Sequence, residues 1–267
     1  MPLSVCATPI GNLDDVTIRA LHELAEADVV LCEDTRRTRL LLARHGVSAR
    51  LVSYHRHNEA RRTREIVPRL AAGERVALVS DAGLPGINDP GARLIDAAID
   101  AGIAVTVLPG PSAVETALVA SGLLSERHQF LGYLPRRGER RSALWEELSR
   151  WPWTAVAFES PRRLPATLAG LADAMPNRPA AVCRELTKAF EEVVRGTTAD
   201  LARRFSEPPR GEVTLVVGPV DVPVPPAADA LSAVAELVAA GVPRRSAAEI
   251  VSRLTGVSRN VLYRGSL

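Results

Sequence analysis

The sequence predicts an α/β protein of two domains followed by a small helical segment, and three features predict it. Short β-branched runs alternate with helical segments through the first 120 residues. From about residue 127 the strands follow one another more closely, and beyond Pro219–Asp229 no strand pattern remains. Short apolar strands alternating with helices indicate a mostly parallel sheet covered on both faces. The expected boundaries are 1–115 for the parallel-sheet domain, 116–220 for a second α/β domain with a mixed sheet, and 226–267 for the helical tail.

Each element has its own signal. LSVCAT reads as the first strand and DDVTIRALHELAEA as the first helix. DVVLCE is the next strand, and TRRTRLLLARHG is a helix stopped by Gly46 at C′. After the strand RVALVS, the stretch NDPGARLIDAAIDAG offers Asp89 as N-cap, Pro90 at the first helical position and Gly102 as the stop. IAVTVLP is a strand, and SAVETALVASG opens with Ser112 and Glu115 at capping-box spacing. In the second half QFLGYL, TAVAFE, AAVCREL, EEVVRG and EVTLVVG read as strands, with helices near 140–150, 162–174 and 198–205. The closeness of 180–186 and 191–195 implies antiparallel or mixed pairing. Pro219–Asp229 reads as a stiff linker, and 227–267 as three short helices.

Composition excludes several classes. The chain is 46% hydrophobic and 24% charged, as soluble globular proteins are. It lacks an apolar run of about 18 residues, so no membrane span is expected. The stretch MPLSVCATPIGN has no basic region ahead of an apolar one, so no signal peptide is expected. Cys6, Cys32 and Cys183 are odd in number and widely spaced, which fits reduced thiols in the cytoplasm and no cysteine-based zinc site. His55 and His57 lack a third ligand at sensible spacing, so no metal is expected. Net charge is +2, yet residues 241–267 carry five arginines against Glu249, a local +4 that leaves −2 elsewhere. A second basic knot is RRGERR, Arg136–Arg141. Either cluster alone reads as solvated surface. Together, in an otherwise slightly acidic chain, they point to a polyanionic partner.

Polar, glycine-rich loops follow the strands: TPIGNLDD, EDTRR, SDAGLPGINDPG and PGPSA in the first half, ESPRR and RELTK in the second. In a parallel sheet the C-terminal strand ends share one edge, where ligands bind. Any one loop alone reads as a turn with a cap, but four on one edge read as a ligand site. No GxGxxG follows the first strand, and neither a GxxxxGK[ST] nor a GxSxG motif occurs. Ordinary dinucleotide sites, P-loop NTPases and α/β-hydrolases are thereby excluded.

Taken in order, ATPIGNLDDVTIRA, CEDTRRT, YHRHNE, SDAGLPGINDPG, LPGPSA, ESPRR, RELTK and GEVTLVVG are similar to the ribosomal RNA small subunit methyltransferase I family of the tetrapyrrole methylase superfamily. The resemblance runs continuously over residues 1–218. It implies the non-Rossmann methylase fold, with two α/β domains around a cleft, and a homodimer. It implies S-adenosylmethionine as methyl donor and 2′-O-methylation of a cytidine in the decoding region of 16S rRNA, in the small ribosomal subunit. Relatives acting on precorrins tend to open with a GxGxGD-like loop where this chain has TPIGNLDD, which favours the rRNA branch over a precorrin-type methylase.

Methyl transfer from a sulfonium needs in-line attack, so positioning is most of the catalysis. Donor contacts are expected from Pro9, Gly11 and Asn12, from Ser80, Asp81, Ala82, Gly83 and Pro85, and from Gly110, Pro111, Ser112 and Ala113. A ribose hydroxyl needs a base, or a cation beside the developing alkoxide. Lys188 is the only lysine in a chain whose other 32 basic residues, of 33, are arginine. It is a candidate for either role: unlike guanidinium, its ammonium can give up a proton, given burial or a neighbour such as Arg184. Glu185, Asp81, Glu33 and Asp34 are carboxylate alternatives. Arg36, Arg162 and Arg184 are candidate substrate contacts, and Arg37 and Arg163 stand beside them. These arginines either hold RNA phosphates or pair with Glu33 or Asp34. In the tail, Ser246–Tyr263 reads as helix, turn and helix, suited by charge to docking nucleic acid or else packing as a plain helical hairpin.

Overall fold

A computed structural model describes residues 2–220 and 227–265. The chain divides into two compact units, 1–220 and 221–267.

In the larger unit, β1 (Leu3–Cys6), β2 (Val29–Cys32), β3 (Leu51–Ser53), β4 (Val76–Leu78) and β5 (Val105–Leu108) form one sheet in the order β3-β2-β4-β1-β5. Every pair in it is parallel. β1, β2 and β4 are buried along their whole length, which is why they read as unbroken apolar runs. Their side chains alternate between two layers: Leu3, Val5 and Leu31 face Tyr54, Ile66 and Leu94, while Cys6 and Val30 face Leu24 and Leu41. The connecting helices are α1 (Ile18–Glu26), α2 (Thr35–Arg44), α3 (Glu59–Ala71) and α4 (Ala92–Asp100). The sequence reading assigns no helix where α3 stands. Its buried stripe of Thr63, Ile66 and Leu70 is interrupted by charges and by Pro68.

A second sheet holds β6 (His128–Tyr133), β7 (Thr154–Glu159), β8 (Pro179–Arg184), β9 (Glu192–Thr197) and β10 (Val213–Val217), in the order β6-β7-β10-β8-β9. β6 and β7 are parallel and the other pairs antiparallel, so the expected mixed sheet is present. One face packs on α6 (Glu139–Arg150), α7 (Leu164–Ala174) and α8 (Thr198–Arg204) through Leu148, Leu164, Leu168 and Leu201. The other face receives α5 (Ala113–Ser121) through Val114, Ala117 and Leu118.

Two cap expectations need correction. Asp89 does not cap α4: Gly91, at φ 141°, is the N-cap and the helix starts at Ala92. Pro90 disfavours helical geometry at Asp89, and the Gly91 conformation, open in practice only to glycine, separates Pro90 from the helix. Ser112 does stand at the N-cap of α5, but it makes no cap bond to the backbone. Its hydroxyl turns to the Glu115 carboxylate instead, leaving the first N–H groups of α5 without that side-chain acceptor. Gly46 and Gly102 take the left-handed C′ conformation as expected, at φ 66° and 69°.

In the smaller unit α9 (Ala227–Ala239), α10 (Arg244–Thr255) and α11 (Arg259–Gly265) pack around Val234, Ala247, Val251 and Leu262. Gly256 at φ 74° makes the turn between α10 and α11. Most of the stretch read as a stiff linker lies outside the described residues.

Candidate active site

The loops leaving β1 and β4 are tied by backbone. The Thr8 N–H donates to the Gly83 carbonyl at 2.9 Å, and the Gly83 N–H returns to Thr8 at 3.0 Å. The Thr8 hydroxyl donates to the Ser80 carbonyl at 3.1 Å. The β1 loop also meets the loop after β8, where the Asn12 N–H donates to Thr187 Oγ1 at 3.0 Å. A Cβ on Gly11 would lie 2.6 Å from Lys188 Cγ and from Thr187 Oγ1, so glycine is what lets the loops of the two sheets meet.

These loops enclose a cavity of about 490 Å³. Its apolar wall includes Ile10, Val114, Leu186 and Val213. Ala82, Gly83, Ser112 and Ala113 also line it, and Phe158 and Tyr133 stand on the second-sheet side. Glu33, Asp81, Asp89, Glu159 and Glu212 bring carboxylates to its lining. A smaller recess of about 260 Å³ adjoins it, sharing Ile10, Arg37, Asp81, Ala82 and Glu212 and adding Pro9, Gly11 and Lys188.

The charges differ between the two walls. Burial raises the Glu33 carboxyl above the usual range, with Asp81 adding to it. Burial, then repulsion from Glu33 and Asp81, pushes Asp89 up to about 6. Asp81 accepts the Asp34 N–H at 2.9 Å and faces Arg37 at 3.5 Å. Asp34 is gripped by Arg36 at 2.6 and 3.1 Å, which holds its carboxyl well below the usual range. On the second-sheet side Glu185, which lines neither the cavity nor the recess, accepts the Glu212 N–H at 2.8 Å, and that bond and Lys188 lower it.

Of the two roles open to Lys188, base or fixed cation, its surroundings favour the cation. Burial pulls its ammonium down, but Glu212 and Glu185, each 2.9 Å from Nζ, outweigh burial and raise it. Arg184, expected beside it, is engaged instead with Glu192 at 3.0 Å and with the Arg210 carbonyl. Glu185 and Thr187 hold φ of 53° and 65°, uncommon for residues with a Cβ. The Thr187 N–H, bonded to Glu191 at 2.6 Å, helps fix that turn.

Of the sequence-derived donor residues, Asp81, Ala82, Gly83, Ser112 and Ala113 line the main cavity, and Pro9 and Gly11 line the recess. Asn12, Ser80, Pro85, Gly110 and Pro111 line neither. Ser80 shapes the β4 loop, its hydroxyl donating to Gly83 at 3.2 Å. Arg36 and Arg184 are ion-paired, and Arg162 has no ion-pair partner among the described residues. Sequence reasoning missed Glu212, Tyr133 and Asp89 as site residues. Glu212 sits beside Lys188 because β10 pairs with β8, Val213 opposite Arg184, and strand order is not written locally. Asp89 was spent on a cap it does not make.

A family model for tetrapyrrole (corrin/porphyrin) methylases matches residues 2–202. The chain belongs to the tetrapyrrole methylase family. This family member is 44% identical over 265 residues to a ribosomal RNA small subunit methyltransferase I from Mesorhizobium japonicum, covering 98% of this chain and 90% of that one. It is 39% identical to the protein of the same name from Streptococcus pyogenes serotype M1, covering 98% and 93%. Among solved structures it is similar to uroporphyrin-III-C-methyltransferase from Thermus thermophilus, with 25% identity, TM-score 0.55 and coverage of 81% and 93%. It also shares its fold with cobalt precorrin-4 methyltransferase, at 20% identity, TM-score 0.59 and coverage of 81% and 94%. This tetrapyrrole methylase is a methyltransferase. No helix among its described residues is long and apolar enough to cross a membrane, and no group of three or more metal-ligating side chains occurs among them.

Proposed function

We propose that the chain uses S-adenosylmethionine to methylate the ribose 2′-hydroxyl of a cytidine in the decoding region of 16S rRNA, acting on the small ribosomal subunit as a cytoplasmic homodimer. The observation that carries this reading is the 44% identity along nearly the full chain to a ribosomal RNA small subunit methyltransferase I.

The residues present fit the donor. The cavity pairs an apolar wall with the small residues Ala82 and Gly83, suited to an adenosyl group. The uncapped N-terminus of α5 at Ser112–Ala113 suits its carboxylate. The carboxylates Glu33, Asp81 and Asp89 suit its positive charge. When bound, S-adenosylmethionine supplies an electrophilic methyl group.

The protein's own groups then divide the work. Asp89 and Glu33, held closer to neutrality than ordinary carboxylates, are the groups poised to accept the hydroxyl proton near physiological pH. Lys188, held charged by two carboxylates, serves as a fixed cation rather than a base. Asp34 and Glu185, both lowered, are poor proton acceptors. Labelled methyl donor offered to small subunits from a strain lacking this enzyme tests the reading. Transfer to a cytidine 2′-oxygen is expected, and transfer only to a tetrapyrrole overturns it.

A further inference from the structure

Leu134–Arg141 line neither the cavity nor the recess, and with Tyr133 before them they have an unusual build. Aromatics are only 4% of the chain. Yet Phe130, Phe158 and Tyr133 form an edge-to-face ladder, with ring centroids 4.9 Å apart for the first pair and 5.6 Å for the second. The ladder ends on Tyr133, which lines the cavity and remains 60% exposed. Its aim is set by backbone. The β6–β7 register shifts between Phe130 and Tyr133, and Gly132 sits at φ 65°, where a Cβ would meet Asn88 Oδ1 at 2.8 Å. Bulges of this kind re-aim a side chain beside a site.

The next residue, Leu134, is buried and anchored, its N–H donating to Phe158 at 3.3 Å and its carbonyl accepting from Arg163 at 3.1 Å. The chain then emerges as Arg136, Arg137, Arg140 and Arg141. None of the four has a carboxylate within ion-pair reach among the described residues. Arg140 and Arg141 stand in the first turn of α6, where the helix dipole disfavours cations. They are therefore not placed there for the helix's own stability. Arg136 is three positions beyond Tyr133, at most about 10 Å of chain, so a base on the ring leaves its neighbouring phosphates within reach of the arginines.

We infer that Tyr133 is the stacking platform for the acceptor nucleobase, and that the Arg136–Arg141 strap holds the phosphates flanking it on a single-stranded RNA segment. An exposed ring at a cavity mouth with guanidinium groups beside it is the chemistry that binds unstacked RNA bases. The inference rests on the RNA reading of the function and adds the wall and the residues that receive the acceptor.

The test uses the full chain with single-stranded oligocytidylate and with unmethylated small subunits. Three arginine-to-serine changes, R136S, R137S and R140S, made together should leave donor affinity intact. They should make the slope of log affinity for the oligonucleotide against log salt shallower by about 2. Tyr133→Ala should weaken oligonucleotide binding about tenfold, and Tyr133→Phe should recover most of that loss. If the wild type binds and methylates RNA but the triple variant keeps its salt slope, or Tyr133→Phe loses as much as Tyr133→Ala, the inference is overturned and the function stands. If the wild type neither binds nor methylates RNA, both are overturned.

Discussion

The two walls of the cavity treat their carboxylates in opposite ways. On the first-sheet wall Glu33, Asp81 and Asp89 crowd together, and burial and mutual repulsion raise Glu33 and Asp89. On the second-sheet side Glu212, which lines the cavity, and Glu185 behind it flank an ammonium at 2.9 Å, and Glu185 is lowered. Environments that push titratable groups apart assign acid–base roles. In the proposed mechanism the proton acceptor therefore belongs to the first wall and the fixed cation to the second. The chain's single lysine is special for its compact charge between two carboxylates, not for a readiness to lose a proton.

The largest effect should come from Asp89→Asn, which lowers single-turnover methyl transfer by roughly 100-fold or more while donor binding persists. The same change should stabilise the fold. Asp89 is pushed up to about 6 in the folded protein, above its ordinary unfolded value. Folding thus takes up a proton between those values, and wild-type stability falls as pH rises through that window. Above about pH 6 Asp89→Asn should be more stable by on the order of 1–2 kcal/mol after solvent screening, and below about pH 4 the advantage should vanish. Thermal melts across pH read this directly.

Gly11→Ala should be next. Its Cβ would meet Thr187 Oγ1 and Lys188 Cγ at 2.6 Å and the Leu186 carbonyl at 2.8 Å, forcing the two walls apart. A cost of about 1–3 kcal/mol in urea unfolding is expected, with a fall in turnover. Lys188→Arg should lower turnover about tenfold, because a planar fork cannot sit between two carboxylates as a compact ammonium does. Wild-type turnover in that variant would remove the lysine from the account. Arg36→Ala should do least. It removes an exposed pair with Asp34, and such pairs contribute little to stability.

The order of strands and helices was legible because the buried strands are unbroken apolar runs, as in VVLC and VTLVV. The strand β3 and the helix α3 were not: β3 is three partly buried residues, and the stripe of α3 is broken by charges and Pro68. The backbone-built part of the site, TPIGN with SDAGLPG, was legible from glycines and prolines that only a close approach requires. The side-chain-built part was legible by half. RELTK was found, but its electrostatic partner Glu212 arrives through the pairing of β10 with β8, a long-range fact. Lys188 reads from the sequence as either base or fixed cation, and the partner that the pairing brings favours the cation: a sequence shows which cation is unusual, and only the pairing shows what surrounds it.

The most direct test of this division is the pH dependence of single-turnover methyl transfer to small subunits, in wild type and in Asp89→Asn. The account predicts a wild-type rate that falls as pH drops through about 6, as Asp89 protonates, and an Asp89→Asn rate that is low and lacks that fall. Lys188→Arg should keep the fall at a lower plateau. A wild-type limb that survives in Asp89→Asn and disappears in Lys188→Arg would contradict it, and would return the proton to the lysine.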